Sequence, residues 1–285
     1  MSIEEQGNAE AVIAPSAGAV QAGAPSDIVV VKLGGSLLEE KSQRAKALEA
    51  IAARWTAGGR VVVVHGGGKR IDASLAALKI PKKTYRGLRI TDPETLDVVV
   101  SVLSGLVNKS LVAELRALGI LSAGLSGVDG DTLWAEFHPR IGGVDFGFVG
   151  RVTLSNPTLI RAVLGAGLLP IVASVALGRE GTLLNVNADS AAAALASALG
   201  ASKLVFLTDV EGLLDAEGKL VPELDPAQAW ALIRSGAVGG GMRPKLMACL
   251  EALKAGVSQV LIAGPQGHAA ALSNGIGGTR LAHVA

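Results

Sequence analysis

The sequence predicts an α/β fold, a three-layer αβα sandwich built on a mostly parallel central sheet. Hydrophobic residues make up 49% of the chain and aromatic residues only 3%, so the core must consist of aliphatic side chains, which is typical of parallel sheets with helices on both faces. In addition, a buried strand, a glycine turn and a helix follow one another twice, at 28–57 and at 61–78. Two such units on neighbouring parallel strands bring their glycine turns to one crevice.

Aliphatic runs with Gly or Pro at their boundaries predict the other elements. The predicted strands are 28–33, 61–64, 120–124, 168–173, 203–207 and 259–263. The predicted helices are about 39–57, a short one ending at about 78, a long one from Asp92-Pro93 to about 118, 157–165, 190–199, 226–235 and one ending near 256. The glycine-rich segment 131–153 predicts antiparallel hairpins inserted into the first half.

Composition limits the surroundings in which we expect the protein. A formal net charge of +1 gives no electrostatic reason to expect a nucleic acid or an acidic membrane as partner. The single cysteine, Cys249, excludes an internal disulfide and a cysteine-rich zinc site, which favours a reduced, cytoplasmic setting. The uncharged segments 11–26 and 162–178 contain too much Gly and Pro for membrane spans, and residues 1–27 are interpreted as a flexible tail.

The first glycine turn has the features of an anion site. Val29 to Val31 belong to the predicted strand, Lys32 lies at its carboxyl end, and Gly34-Gly35 follow. A cation beside accessible backbone amides at that edge of a parallel sheet suits a phosphate. The alternative is a lysine that extends its ammonium group into water, and this stretch alone does not decide between the two.

The second glycine turn, HGGGK from His65, follows four valines. It is not a P-loop, because Val63 stands where that motif requires glycine. It is not the dinucleotide fingerprint either, because Ile71 stands where that motif requires Gly or Ala. The turn therefore indicates a second approach of backbone to a ligand without naming the ligand.

Other polar residues of the chain each allow two interpretations. Arg89, just ahead of the long helix, is either a solvated side chain or one that binds a carboxylate with its guanidinium fork. Asp189 by itself would be interpreted as a helix cap. Asn185 and Asn187 point to the same side if their segment is extended, toward a cleft or toward solvent. Lys245 is a second lysine next to a glycine run.

Eight short motifs together resemble one protein family. In chain order they are KLGGS from Lys32, VVHGGGK from Val63, GLRITD from Gly87, VNKSLV from Val107, GLSGVDGD from Gly124, LLNVNADSAA from Leu183, LTDVEGLLD from Leu207 and GGGMRPK from Gly239. This set resembles the amino-acid kinase family, and within it the branch that serves arginine biosynthesis. The motifs span about 28–263, and although each is weak alone, eight in the family's order form a specific signal.

The resemblance implies the carbamate kinase-like fold and a phosphotransferase with a carboxyl group as acceptor. The implied reaction is ATP-dependent phosphorylation of the γ-carboxylate of N-acetyl-L-glutamate. Lys32 and Lys245 would flank the transferring phosphoryl group, and Asp189 would hold both lysines by charge. Arg89 would bind the substrate's α-carboxylate, and Asn185 would fix its acetylamino end.

The resemblance also implies the remaining contacts and the division of the chain. Gly67 and Gly68 would contact the substrate. The phosphate- and nucleotide-binding set would be Gly34, Gly35, Asp209, Val210, Gly212, Leu213, Leu214, Gly240 and Gly241. Mg²⁺ would bind through the nucleotide phosphates, so no side-chain metal site is expected. Residues 28–285 would form the kinase domain, with a substrate-binding lobe at about 28–178 and an ATP-binding lobe at about 179–285.

Two alternatives accompany this interpretation. Arg243 stands where arginine-pathway enzymes commonly carry an apolar residue, which favours a sister carboxylate kinase acting on carrier-protein-linked aminoadipate or glutamate, or on N-succinylglutamate. The string NVNAD from Asn185 instead favours the acetylglutamate branch. A non-catalytic amino-acid sensor with the same fold is a second class, against which the intact Lys32, Asp189 and Lys245 argue.

The N-terminal segment bears on the oligomeric state. Residues 1–27, with Pro15, Pro25 and many small residues, are a poor version of the N-terminal helix that links dimers into hexamers in arginine-inhibited relatives. We therefore expect a homodimer and weak or absent control by arginine.

Overall fold

A computed structural model describes residues 26–215, 217–273 and 275–282, so the expected tail lies outside the described residues except for its last two. The strands are β1 (Ser26–Leu33), β2 (Arg60–His65), β3 (Thr84–Tyr85), β4 (Leu88–Arg89), β5 (Ser122–Ser126), β6 (Leu133–Phe137), β7 (Val149–Ser155), β8 (Leu169–Ala173), β9 (Val175–Leu177), β10 (Leu183–Val186), β11 (Ala201–Leu207), β12 (Glu223–Leu224), β13 (Gln259–Ala263) and β14 (Thr279–Leu281). The helices are α1 (Gly35–Glu39), α2 (Lys41–Thr56), α3 (Gly68–Ala77), α4 (Pro93–Val100), α5 (Asn108–Ala117), α6 (Thr158–Gly165), α7 (Ala188–Leu199), α8 (Pro226–Ser235), α9 (Met242–Lys254) and α10 (His268–Leu272).

One sheet runs through the middle of the molecule. Within the described residues it has eight strands in the order β12-β14-β13-β11-β1-β2-β8-β5. The central strand β1 pairs in parallel with β11 on one side and with β2 on the other, and β8, β5 and β13 continue in parallel. Strand β14 runs antiparallel to β13 and pairs in parallel with the edge strand β12. The predicted α/β fold with a mostly parallel sheet is confirmed.

The alternation of side chains along β1 determines which way Lys32 points. Val29 and Val31 are buried on one face of the sheet, in a cluster that includes Leu48 of α2. Val30 is buried on the other face, in a cluster that includes Ala191 of α7. Because successive residues of a strand point to opposite faces, Lys32 shares the face of Val30 and points toward α7.

A second, smaller sheet is built from the middle of the chain. Strands β6, β7, β9 and β10 close into a small barrel, while β3 and β4 form a separate hairpin. Strands β6 and β7 pair antiparallel, as predicted for 131–153. Strand β10 pairs with β7 and β9, and this places Asn185 beside Val149 and Val175.

The long helix predicted from Asp92 to about 118 contains a feature that the sequence did not indicate. It consists of α4, a π-helical segment at Ser101–Val107, and α5. Asp92 is its N-cap and accepts a hydrogen bond from Thr95 N, with Pro93 in the first turn. A π-helical turn contains about one residue more than an α-helical turn. The π-helical segment therefore changes which side chains of α5 face the sheet.

The same helix is strongly apolar. Residues Pro93–Ala117 are long and apolar enough to cross a membrane by length and composition, with a mean hydropathy of 1.6 over the most apolar stretch and 39% of that stretch buried inside the protein. Its inner side chains, among them Val99, Leu111 and Leu115, are buried in the core. The helix therefore forms part of one outer layer of the sandwich.

Several predicted boundaries differ from the structure. The helical segment predicted at 39–57 begins earlier, at Gly35, and is interrupted at Glu40, whose side chain accepts a hydrogen bond from Ser42 N and caps α2. The strand predicted at 120–124 lies at Ser122–Ser126. The helix predicted at 190–199 begins at Ala188, because Asn187 supplies its N-cap.

Candidate active site

The carboxyl ends of β1, β2 and β11 form the candidate site. The chain leaves β1 toward β2 on one side, whereas it leaves β11 toward β13 on the other, so its direction across the sheet reverses between β1 and β11. In open α/β sheets, ligands bind at such a switch point. Leu33 is level with His65 on β2 and with Leu207 on β11, and the loops that follow these residues are neighbours.

The structure brings Lys32, Asp189 and Lys245 together at this point. Lys32 Nζ lies 2.7 Å from Asp189 Oδ1, and Lys245 Nζ lies 3.5 Å from Asp189 Oδ2. The three residues are 7%, 7% and 8% exposed. Asp189 lies inside α7 and is not its cap, since Asn187 accepts the capping hydrogen bonds and leaves the Asp189 carboxylate to the lysines. Lys245 Nζ also lies 5.3 Å from the centre of the Phe206 ring, a cation–π contact.

Burial and mutual attraction set the charges of this cluster. Burial lowers the pKa of Lys32 below its usual 10.5, although the nearby Asp189 acts in the opposite direction. Burial would raise the pKa of Asp189, but Lys32 and Lys245 outweigh it and hold that pKa below the usual 3.8. Asp189 is therefore ionised at neutral pH. Two lysines share this one carboxylate, so the cluster has unbalanced positive charge that an anion would compensate.

Gly34 allows the first loop to lie directly against β11. Its N–H donates to the carbonyl oxygen of Leu207 at 2.8 Å, and a Cβ at Gly34 would lie 2.9 Å from that oxygen. The Gly34 amide is thus used within the protein, and its contact with a phosphate stays a prediction. A Cβ at Gly35 or Gly68 would meet no described atom within 4 Å, so open space lies beside both.

Helices α3 and α9 begin at this edge with glycine caps. The N-cap of α3 is Gly67 and that of α9 is Gly241, and neither helix has a side-chain hydrogen bond at its cap. The N–H groups of a first helical turn lack partners within the helix and attract anions. Lys245 lies in the first turns of α9, so that helix brings both its amides and an ammonium group to the cluster.

A cavity of about 240 Å³ lies next to the lysines. It is lined by Lys32, Gly35, Gly66, Gly67, Gly68, Ile71, Arg89, Leu103, Ser174, Asn185, Val186, Asn187, Ala188 and Asp189. Of the predicted site residues, the structure therefore gathers Lys32, Asp189, Gly67, Gly68, Arg89, Asn185 and Gly35 around one space, with Lys245 joined to it through Asp189.

Arg89 is oriented from outside this cavity. Its Nη2 contacts the Asp72 carboxylate and lies 3.4 Å from the carbonyl oxygen of Gly68. Lys82 Nζ holds the other oxygen of Asp72 at 2.7 Å. The second terminal nitrogen, Nη1, is buried and has no hydrogen-bond partner among the described residues. The guanidinium thus has one nitrogen fixed by Asp72 and one whose hydrogen bonds no described residue satisfies.

The two asparagines of the NVNAD string have different tasks. Asn185 lines the cavity, and its Nδ2 donates to Thr91 Oγ1 at 3.2 Å. Asn187 Oδ1 accepts from the N–H groups of Asp189 and Ser190 at 2.8 and 3.1 Å. Asn187 therefore orients the start of α7, whereas Asn185 retains a carbonyl oxygen for a ligand.

Residues 27–264 match the sequence profile of the Amino acid kinase family. The chain belongs to the amino-acid kinase family. The acetylglutamate kinase of Solibacter usitatus is 46% identical over 236 residues, which cover 82% of this chain and 90% of that protein. The acetylglutamate kinase of Rhizobium rhizogenes is 43% identical over 244 residues, which cover 82% of each chain.

Solved structures show the same fold. A Streptococcus mutans protein has a TM-score of 0.78 at 32% identity, covering 90% of this chain and 99% of that one. An N-acetylglutamate synthase from Neisseria gonorrhoeae, complexed with coenzyme A and N-acetyl-glutamate, has a TM-score of 0.78 at 27% identity, covering 92% of this chain and 61% of that one. Giardia carbamate kinase, at 18% identity and a TM-score of 0.69, shares the fold, so the predicted carbamate kinase-like fold is confirmed.

In this kinase, the segment after β11 lies apart from the cavity. Thr208 Oγ1 donates to Asp209 Oδ1 at 3.0 Å. Burial would raise the pKa of Asp209, but hydrogen bonds from Ser36, from its own backbone and from Thr208 lower it. The described lining of the cavity includes none of the predicted nucleotide residues at 209–214 or 240–241. Their role in binding nucleotide stays a prediction.

Four further residues of this segment differ in environment. Val210 and Leu214 are exposed, whereas the side chain of Leu213 is buried and its N–H donates to Thr279 Oγ1 at 2.8 Å. A Cβ at Gly212 would lie 2.5 Å from Leu220 Cδ1. Gly212 and Leu213 therefore fix the loop to the core, whereas Val210 and Leu214 leave apolar surface exposed.

Sequence reasoning missed Asp72, the partner of Arg89. Its position four residues after Gly68 could have indicated it, since residues i and i+4 share one face of a helix. Within the described residues, no group of three or more His, Cys, Asp and Glu side chains is arranged to hold a metal ion.

Proposed function

We propose that the protein transfers the γ-phosphoryl group of ATP to the γ-carboxylate of N-acetyl-L-glutamate, the reaction that the resemblance implied for arginine biosynthesis. The observation that carries this proposal is the buried Lys32–Asp189–Lys245 cluster beside a cavity that contains Arg89. The acetylglutamate kinases that are 43% and 46% identical over most of the chain support it.

The cavity suits a small dicarboxylate. The free nitrogen of Arg89 would receive the α-carboxylate, and the oxygen of Asn185 would accept from the acetylamino N–H. The amides of Gly67 and Gly68, at the start of α3, would contact the acceptor. The γ-carboxylate would then lie on the side of Lys32.

The nucleotide would approach from the α9 side. Gly35, Gly240 and Gly241 each border open space in the described structure, which leaves room for phosphate oxygens close to the backbone. Asp209 to Leu214 would border the rest of ATP. No side-chain carboxylate in the cluster is spare, because Asp189 is shared by two lysines, and Mg²⁺ bound through the phosphate oxygens fits this donor set. When bound, Mg²⁺ would neutralise phosphate charge.

The reaction needs positive charge more than proton transfer. A Glu-type γ-carboxylate has a pKa of about 4.3, so it is already ionised at neutral pH and requires no general base. One carboxylate oxygen forms a bond to the γ-phosphorus while the bond to the bridging oxygen of ADP breaks. Lys32 and Lys245 would stabilise the negative charge that accumulates on the phosphoryl oxygens. Each such contact is typically worth about 3 kcal/mol, or roughly two powers of ten in rate.

Asp189 gives the two lysines a fixed geometry. Without a carboxylate between them, two buried ammonium groups would repel each other and one would lose its proton. Oxygens Oδ1 and Oδ2 each hold one lysine, so both ammonium groups are positioned before the substrates bind.

The same proposal includes the division into a substrate lobe and an ATP lobe, a homodimer and a cytoplasmic location. It also includes the expectation that neither a membrane nor a nucleic acid is a partner.

A panel assay tests the proposal. ADP release with MgATP would be measured for N-acetylglutamate, N-succinylglutamate, free glutamate and aspartate, and hydroxylamine would trap the acyl phosphate. N-acetylglutamate should be turned over well ahead of the others. Lys245→Met should abolish the activity, whereas Lys254→Met, an exposed lysine on the same helix, should not. If wild-type protein released no ADP with any of the four, the carrier-linked or sensor alternatives would replace the proposal.

A further inference from the structure

A buried histidine contacts the second glycine loop. His65 ends β2 and is fully buried. Its Nδ1 lies 2.9 Å from the carbonyl oxygen of Gly66, and its Nε2 lies 3.1 Å from Asn108 Nδ2. Nothing in the mechanism above uses His65, although the loop that it contacts lines the acceptor cavity.

Asn108 attaches this histidine to the rest of the fold. It is fully buried at the start of α5, and its Nδ2 also donates to the carbonyl oxygens of Leu125 and Ile171 at 3.1 and 3.0 Å. Its Oδ1 accepts from Lys109 Nζ at 3.2 Å. Strands β5 and β8 and the long helix therefore meet at one amide group. Its two N–H hydrogens are shared among three acceptors, and its oxygen accepts from one donor.

This arrangement fixes the protonation of His65. Because Asn108 Nδ2 can only donate, His65 Nε2 accepts and Nδ1 carries the hydrogen that is donated to Gly66 O. Burial, together with the cations Lys109 and Lys32, lowers the pKa of His65 to about 4, although the Gly66 carbonyl acts in the opposite direction. The ring is neutral at physiological pH and serves as a fixed link between two partners.

The link determines where a backbone N–H points. The carbonyl of Gly66 and the N–H of Gly67 belong to one planar trans peptide, so they point in opposite directions. Holding the carbonyl toward His65 therefore holds the Gly67 N–H away from it. The π-helical segment limits the loop from another side, since a Cβ at Gly67 would lie 2.9 Å from Leu103 and 3.2 Å from Val107.

We infer that His65 and Asn108 are positioning residues for the acceptor: together they orient the Gly66–Gly67 peptide so that the Gly67 N–H is set before substrate binds. The inference rests on the proposed function for the identity of the acceptor. It does not depend on that function for the geometry of the loop.

The two ring nitrogens can be tested separately. An Asn side chain at position 65 keeps a donor near the place of Nδ1, whereas a Gln side chain keeps an acceptor near the place of Nε2. His65→Asn should therefore retain the contact with Gly66, while His65→Gln and His65→Ala should lose it. His138→Asn is the matched control, because His138 Nδ1 lies 2.9 Å from the carbonyl of the next residue, Pro139, but belongs to neither glycine loop.

Steady-state kinetics distinguish positioning from mere stability. His65→Gln and His65→Ala should raise the KM for N-acetylglutamate about tenfold, the scale of one lost hydrogen bond, with the KM for ATP unchanged. His65→Asn should keep the KM for N-acetylglutamate close to the wild-type value, and His138→Asn should behave as wild type. A purely structural histidine would reduce the active fraction, which lowers the apparent kcat and leaves both KM values unchanged. That result would overturn the inference.

Glycine-selective ¹⁵N NMR gives a readout that does not need activity. The amide signals of Gly66, Gly67 and Gly68 should shift in His65→Gln and in Asn108→Leu, and much less in His65→Asn. If wild-type protein fails to phosphorylate N-acetylglutamate, the proposed function falls while these shifts still decide the loop geometry. Unshifted Gly67 in folded His65→Gln would refute the positioning role directly.

Discussion

Replacing Asp189 by asparagine tests the central cluster most directly. The substitution keeps the shape of the side chain and removes the charge that Lys32 and Lys245 share at 2.7 and 3.5 Å. Both ammonium groups would then be buried without a counter-charge. Removing one partner of a buried ion pair typically costs about 3–5 kcal/mol of the free energy of unfolding.

A second consideration limits that cost. A lysine with an ordinary pKa of about 10.4 can release its proton at pH 7.5 for about 4 kcal/mol, since each pKa unit corresponds to about 1.4 kcal/mol. Lys32 is easier to neutralise because its pKa is already lowered by burial. We therefore expect Asp189→Asn to lower the free energy of unfolding by about 3–4 kcal/mol and to reduce kcat by about a hundredfold or more.

Urea unfolding and ADP release would be measured on the same preparations. Asp97→Asn, which changes an exposed carboxylate on α4, is the control and should leave both quantities near wild type. In Asp189→Asn/Lys32→Met, one uncompensated charge becomes an apolar side chain, so stability should partly return while activity stays low. If Asp189→Asn unfolded within about 0.5 kcal/mol of wild type and kept its kcat, the charge argument would be wrong.

Three further predictions concern other parts of the site. Arg89→Ala should raise the KM for the acceptor with little change in the KM for ATP, and an unchanged acceptor KM would remove Arg89 from the site. Gly67→Ala should lower the free energy of unfolding by about 1–3 kcal/mol because its Cβ would overlap the π-helical segment, whereas Gly165→Ala, beside open space, should not; equal stabilities would contradict the packing. Activity should be lost at alkaline pH below the usual 10.5 of lysine, because burial lowers the pKa of Lys32, and Asp189→Asn should move that loss to still lower pH since the carboxylate that raises this pKa is gone. A pH–rate profile unchanged by the substitution would contradict the assignment.

Local patterns in the sequence predict much of the fold. The valine runs of β1 and β2 and the glycines after them fix a parallel strand pair with two adjacent turns, because burial and backbone freedom act over a few residues. Of the small barrel, the sequence predicts only the antiparallel pair β6 and β7. Its strands β9 and β10 are three and four residues long, too short to show an alternating pattern.

The site itself was less accessible to local reasoning. Asp189 alone would be interpreted as a helix cap, and only the family resemblance paired it with Lys32 and Lys245. These contacts join segments that are far apart in the chain, so no periodic pattern of neighbouring residues can predict them. The partner of Arg89, the use of the Gly34 amide by Leu207 and the link from His65 to Asn108 are of the same kind, because each depends on which strands become neighbours.

The cluster joins distant parts of the chain, since Lys32 belongs to β1 and Lys245 to α9. Lys32 and Asp189 alone would be a balanced pair, so α9 contributes the surplus cation. A substitution that loosens the packing of α9 is therefore expected to weaken the attraction for an anion, even where it leaves Lys32 and Asp189 in place.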